Sequence, residues 1–319
     1  MRITRRHALR ILGAGAALGA GVVGLRSMRD APAPVQWQGE VLGALSAMTL
    51  WHPNRRVAER TIARMLVEID RLDRIFSLYR DDSELVRLNR EGEIAWPSDD
   101  LVQVFDESLR IAGISGGAFD PTIQPLWRLT AQGGGSVADL EQALGLVDFA
   151  ALDVGTRAIG FSRPGMAASL NGIAQGYITD RITDLLANDG FEQAMIELGE
   201  TRALGSGPNG TPFSVGLVDP FAPATIARNL PLSSAALAVS GGYGLSLDAS
   251  GGNHILDPTT GTSPDGLRQV AVIAPRAVWA DALSTAISVA GEAAAPGLLK
   301  HYKGSRAILW RADGSVHEV

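Results

Sequence analysis

Ala280-Asp281-Ala282-Leu283-Ser284-Thr285-Ala286, near the C-terminus, sets the reading of the whole chain. Asp281 and Thr285 stand four apart in an Ala/Leu-rich run that predicts a helix, so both side chains share one face. A carboxylate and a hydroxyl one turn apart are hard oxygen ligands, suited to Mg²⁺ held partly by substrate phosphates. Upstream, Gly252-Asn253-His254-Ile255-Leu256-Asp257-Pro258-Thr259-Thr260-Gly261 sets an imidazole three residues before a carboxylate. It then turns on Asp-Pro and Thr-Gly. A metal-and-phosphate site beside a general base is what transfer of a phosphate-linked group needs. Taken singly, each residue also fits an ordinary role: Asp281 as a helix cap, Thr285 as a packed hydroxyl, His254 as a strand histidine.

At the other end, Thr4-Arg5-Arg6-His7-Ala8-Leu9-Arg10 precedes an uncharged Gly/Ala/Leu/Val-rich run from Ile11 to Leu25. This is the pattern of a twin-arginine export signal. The run is short and Gly-rich for a spanning helix, which needs about 20 strongly apolar residues. Ala31-Pro32-Ala33 is the A-x-A site nearby, so residues 1–33 are expected to be a signal peptide and the mature protein periplasmic. The chain has no cysteine, which excludes disulfides and a lipid-bearing N-terminal cysteine.

The full chain carries 28 Lys+Arg and 34 Asp+Glu, a net charge of −6. Residues 1–33 hold six Arg and one Asp, leaving 22 against 33, or −11, for the remainder. So acidic a surface has no broad attraction for nucleic acid or anionic lipid. A phosphate-bearing substrate would need a local site.

Residues 34–319 are long enough for one large domain. Residues 30–38 read as a linker, and Gly133-Gly134-Gly135-Ser136 as a surface loop. Helices are predicted over 55–76, 100–112, 137–146 and 172–188, the last ending at Asn188-Asp189-Gly190. Strands are predicted over 194–198, 213–218, 235–240, 270–274 and 306–310. The uneven interspersion points to an α+β fold.

Five segments, in order, resemble the ApbE family of FAD:protein FMN transferases. They are Ser77-Leu78-Tyr79-Arg80 with Asp82 to Asn89, Gly117-Ala118-Phe119-Asp120-Pro121-Thr122, and Leu170-Asn171-Gly172-Ile173-Ala174-Gln175-Gly176-Tyr177. His254-Ile255-Leu256-Asp257-Pro258 and Asp281-Ala282-Leu283-Ser284-Thr285 complete the set. The resemblance implies an ApbE-like fold with mixed or antiparallel sheets and packed helices. It implies Mg²⁺-dependent cleavage of FAD, with FMN attached to a Thr or Ser hydroxyl of an acceptor flavoprotein and AMP released. Such acceptors serve membrane complexes, and a NosX-like accessory role would suit an exported member.

Carried over by position, the resemblance makes Asp281, Thr285 and Ser284, with the Gly172 carbonyl, the metal ligands. Leu42, Tyr79, Ala118, Phe119, Asp120, Ser169, Gln175 and Ile255 would line the FAD site, and His254 would move a proton. The helix start after Gly172 would seat phosphate, and Asp257 would orient His254. Ser169 and Gln175 stand where the family usually has Asp and Lys, which predicts weaker FAD binding. Leu42-Gly43-Ala44 replaces Met-Gly-Thr, and Leu198-Gly199-Glu200-Thr201 stands at the usual Gly-Gly-Asp segment. Two further readings use the same residues: a Mg²⁺-dependent FAD pyrophosphatase, and a flavin-binding assembly protein with little catalysis.

Overall fold

The computed structural model describes residues 33–242 and 254–319. The expected signal peptide, but for Ala33, and the Gly252-Asn253 start of the histidine motif lie outside the described residues. Strands β1 (Val35–Val41) and β2 (Ala44–Trp51) form an antiparallel hairpin. Leu42 and Gly43 turn it with φ of 52° and 68°, the left-handed pair that matches the twist of the flanking strands. The linker expected over residues 30–38 is therefore corrected from Val35 onward. The alternation Val35-Gln36-Trp37-Gln38 carried the strand signal.

Helix α1 (Arg55–Phe76) follows, capped by Asn54, with Ile62, Ile69, Leu72 and Phe76 buried as the periodicity predicts. Then come α2 (Glu84–Glu91), β3 (Glu93–Ala95), α3 (Asp99–Ile114), α4 (Gln124–Ala131) and α5 (Val137–Leu144). Ser136 and Asp139 close a capping box at the start of α5, just after the exposed glycine loop. β4 (Leu152–Val154) and β5 (Ala158–Phe161) lead to α6 (Ala174–Asn188), β6 (Gln193–Glu197) and β7 (Thr201–Leu204). The hairpin of β8 (Phe213–Val218) and β9 (Ile226–Leu232) precedes β10 (Ala236–Gly241) and β11 (Leu267–Ala274). Helices α7 (Ala277–Ala290) and α8 (Ala295–Leu299) and strands β12 (Arg306–Arg311) and β13 (Val316–Glu318) complete the chain.

Eight strands make one antiparallel sheet in the order β1-β2-β6-β7-β10-β11-β12-β13. Both faces of its middle are covered, which explains why β11 and β12 read as unbroken apolar runs rather than alternating ones. Val270, Val272, Ala307 and Leu309 face the helices. Ala271, Ile273, Ile308 and Trp310 face the β8–β9 hairpin, in a second core with Leu217 and Leu230. The fold is α+β, as expected, in three layers of helices, sheet and hairpin. Among the described residues no helix is long and apolar enough to cross a membrane.

A reciprocally capped pair of helices carries the candidate site

Helices α6 and α7 lack side-chain caps of their own, their N-caps being Ile173 and Arg276. Each is capped by the other. The Gly176 N–H in the first turn of α6 donates to Asp281 Oδ2 on α7 at 2.9 Å. Asp180 on α6 accepts from the Ala277 and Val278 N–H groups of α7 at 2.8 and 3.1 Å. Asp180 is fully buried and also holds Arg202 and the Arg276 guanidinium. A Cβ on Gly176 would stand 2.5 Å from the Ala277 carbonyl oxygen, so only glycine allows this approach. The phosphate seat expected at the start of α6 is reduced accordingly, because the Gly176 N–H is taken by Asp281 and the Ala174 N–H by the Leu170 carbonyl.

This double cap predicts a large stability effect. Asp180→Ala leaves two helix N–H groups without their acceptor and the Arg202 and Arg276 guanidiniums with Asp184 as their remaining carboxylate. Removing one partner of a buried charge network costs about 3–5 kcal/mol. The melting temperature should fall by roughly 5–8 °C; an unchanged melting curve would refute the account.

The first turns of α7 face a cavity of about 130 Å³. It collects Ala118, Phe119, Asp120, Ser169, Gly172, His254, Ile255, Asp281 and Thr285 from four separate stretches. Tyr79 and Asn171 line it and also an adjoining cleft of about 580 Å³, where Leu42 and Gln175 lie. The expected residues thus divide between two neighbouring hollows joined at Tyr79 and Asn171. Ser284 lines neither. Its hydroxyl donates to the Asp281 carbonyl at 2.8 Å and lies 2.7 Å from Ser240 Oγ, so it steadies the helix rather than facing the cavity.

Asp281 is 4% exposed, and burial pushes its carboxyl up to about 7 against the pull of the Gly176 N–H, with Asp180 adding like charge. Burial lowers His254 to about 4, leaving the imidazole neutral at pH 7. Among the described residues His254 Nδ1 is buried without a hydrogen-bond partner. Asp257 does not orient it as expected: Asp257 Oδ1 accepts from the Thr259 N–H and hydroxyl at 2.8 and 2.7 Å, closing its own turn. Asp120 is likewise engaged, accepting from the Thr122 N–H and hydroxyl and from the Phe149 N–H. Burial nonetheless holds its carboxyl above the usual range. It shapes the cavity wall as much as it faces it. Burial also raises the Tyr79 phenol, which is hydrogen-bonded to Asn171.

Sequence reasoning treated Glu200 only as a departure, and missed Ser240 and Trp127. All three line the cavity. Glu200 sits in the tight β6–β7 turn, where Gly199 has φ +97°, and no local pattern marks such a side chain as functional.

Asp281, Glu200, Thr285, Ser240 and the Gly172 backbone offer oxygen donors only, the chemistry of a hard cation. Gly172 packs against Thr285 so closely that a Cβ would lie 3.2 Å from Thr285 Oγ1. Among the described residues no three His, Cys, Asp or Glu side chains group closely enough to hold a metal by themselves. A cation here would therefore draw on hydroxyls, a carbonyl and substrate phosphates as well. With two buried carboxylates facing one hollow, the residues present fit Mg²⁺.

The ApbE family model matches residues 42–309. The chain is 28% identical over 309 residues to the FAD:protein FMN transferase of Treponema pallidum, covering 86% of this chain and 84% of that protein. It is 26% identical over 278 residues to the enzyme of the same name from Salmonella typhimurium, covering 82% and 79%. The flavin transferase ApbE from Vibrio cholerae superposes with a TM-score of 0.76 at 25% identity, over 91% of this chain and 97% of that one. The ApbE protein of Thermotoga maritima superposes at 0.78 with 26% identity, over 89% and 96%.

Proposed function

The chain belongs to the ApbE family, and we propose that it transfers FMN from FAD to a Thr or Ser hydroxyl of an acceptor protein, with Mg²⁺ as cofactor and AMP as leaving group. The observation that carries this reading is the meeting of His254, Asp281, Thr285 and Gly172 in one cavity. The acceptor oxygen attacks the FMN phosphorus, the bond from that phosphorus to the AMP oxygen breaks, and the hydroxyl proton passes to His254. Phosphoryl transfer of this kind depends on positioning and charge neutralisation rather than on a covalent enzyme intermediate.

Asp281, through the oxygen not given to Gly176, would hold the cation together with Thr285 and the Gly172 carbonyl. A divalent cation held by these residues would supply charge neutralisation for the pyrophosphate and the leaving phosphate. His254 enters neutral, so its lone pair is free to accept the proton, and a nearby pyrophosphate charge raises its basicity from the low value that burial imposes. Tyr79, at the junction of the two hollows, offers a ring on which a flat heterocycle can stack. Leu42 and Gln175 would then meet the rest of FAD in the adjoining cleft. Gln175 brings no charge to that cleft and Ser169 none to the cavity, which keeps the expectation of modest FAD affinity.

The proposal extends to the compartment. The Arg5-Arg6 signal and the absence of cysteine suit a soluble periplasmic enzyme whose acceptor is an exported or membrane-associated flavoprotein.

Mass spectrometry of an exported acceptor flavoprotein incubated with this protein, FAD and Mg²⁺ tests the reading. An FMN-sized addition on a Thr or Ser, with AMP released, is the expected result. Free FMN and AMP without modified acceptor would make the protein a pyrophosphatase. No turnover with retained FAD would make it a binding protein.

A further inference from the structure

Glu200 lines the same cavity as Asp281, yet the transfer step above gives it no role. It is 5% exposed. None of the described residues hydrogen-bonds its carboxylate. No Lys or Arg lines the cavity among the described residues, and the nearby Arg202 is taken by Asp180. The charge Glu200 feels is that of Asp281, of the same sign.

Its placement is imposed by the turn. Leu198 N–H bonds the Glu200 carbonyl at 3.0 Å, and Gly199 adopts φ +97°. A Cβ on Gly199 would stand 2.6 Å from Gln175 Oε1, so the turn is also packed shut from outside. A buried carboxylate with neither donor nor counter-charge is costly unless a cation is there to meet it.

We propose that Glu200 is a further ligand of the divalent cation, joining Asp281 and Thr285 in the same cavity. The proposal rests on the flavin-transfer reading. Two carboxylates balance the charge of a divalent ion without help from pyrophosphate, so the cation binds before FAD does. Glu200 then preloads the site rather than waiting for the substrate's phosphates.

Calorimetric titration of the FAD-free protein with MgCl₂, together with melting curves, tests this. Wild type should bind Mg²⁺ and melt higher in its presence. Glu200→Gln, which keeps the shape, should melt higher than wild type without Mg²⁺, because like-charge repulsion is gone. Its Mg²⁺ affinity should fall by about tenfold or more, and Glu200→Asp should recover part of the loss. Wild-type affinity in a folded Glu200→Gln protein would overturn the assignment, as would a wild type that binds no Mg²⁺ without FAD. Acceptor modification by wild type, read by mass spectrometry, stands or falls separately and reports on the flavin-transfer reading alone.

Discussion

Asp281→Asn is expected to reduce flavin transfer by about 10³-fold or more, since a catalytic cation supplies several kcal/mol and each 1.36 is a factor of ten. The amide can still accept the Gly176 N–H, so this variant isolates the lost charge from the lost cap. Asp281→Ala removes both, and the orphaned N–H costs a further 1–3 kcal/mol or so of stability. The sequence offers Asp281 as a metal ligand or as a helix cap; the structure makes it the cap of a distant helix, α6, so the asparagine variant is the sharper test.

The same residue predicts a pH effect. Its folded pKa, about 7, lies above the ordinary carboxylate value. The folded protein therefore binds a proton that the unfolded chain releases. That contributes stability fully present below about pH 4 and lost as pH rises through 7. His254, lowered to about 4, works in the opposite direction between its ordinary value of 6.5 and 4. The difference in melting temperature between wild type and Asp281→Asn, measured in chelator from pH 5 to 8, cancels the histidine. Wild type should lose ground against the variant as pH rises, and MgCl₂ should erase the trend by competing with the proton. A difference that stays flat with pH would show that Asp281 does not titrate in this range.

His254→Asn should lower the transfer rate by about 10²–10⁴-fold, the usual worth of general base catalysis, while FAD affinity stays near wild type. The geometry sharpens the expectation. Among the described residues Nδ1 is buried and unpartnered, and Asp257 Oδ1 closes its own turn, so none of their carboxylates orients it. Rate and affinity falling together would make His254 a binding residue and leave the proton to another group.

Much of this architecture was legible locally. The boundaries of α1 follow from Asn54 as a cap and from apolar spacing at 3.6 residues, and both survive because the helix needs little from the rest of the chain. The run from Ala280 to Ala286 is helical, and its Asp and Thr do share one face toward a single cavity. Family membership, too, was written in the order of five short motifs. The β1 strand occupies part of the stretch that reads as a linker over residues 30–38, although its alternation is present in the sequence.

What the tertiary structure alone decided are relations between distant residues. Gly176 and Asp281 lie 105 positions apart, Asp180 and Ala277 97 apart. No local period encodes such a pair, so the reciprocal caps, and with them the register of α6 against α7, emerge only on packing. The two hollows, with Gln175 turned away from the cavity that holds Asp281, follow from that register. Glu200 is the clearest case. In the sequence it is an acid beside a glycine in a strand-to-strand turn. It becomes a candidate ligand because the fold packs that turn against Gln175 of α6, buries the carboxylate, and brings it into the same cavity as a second carboxylate.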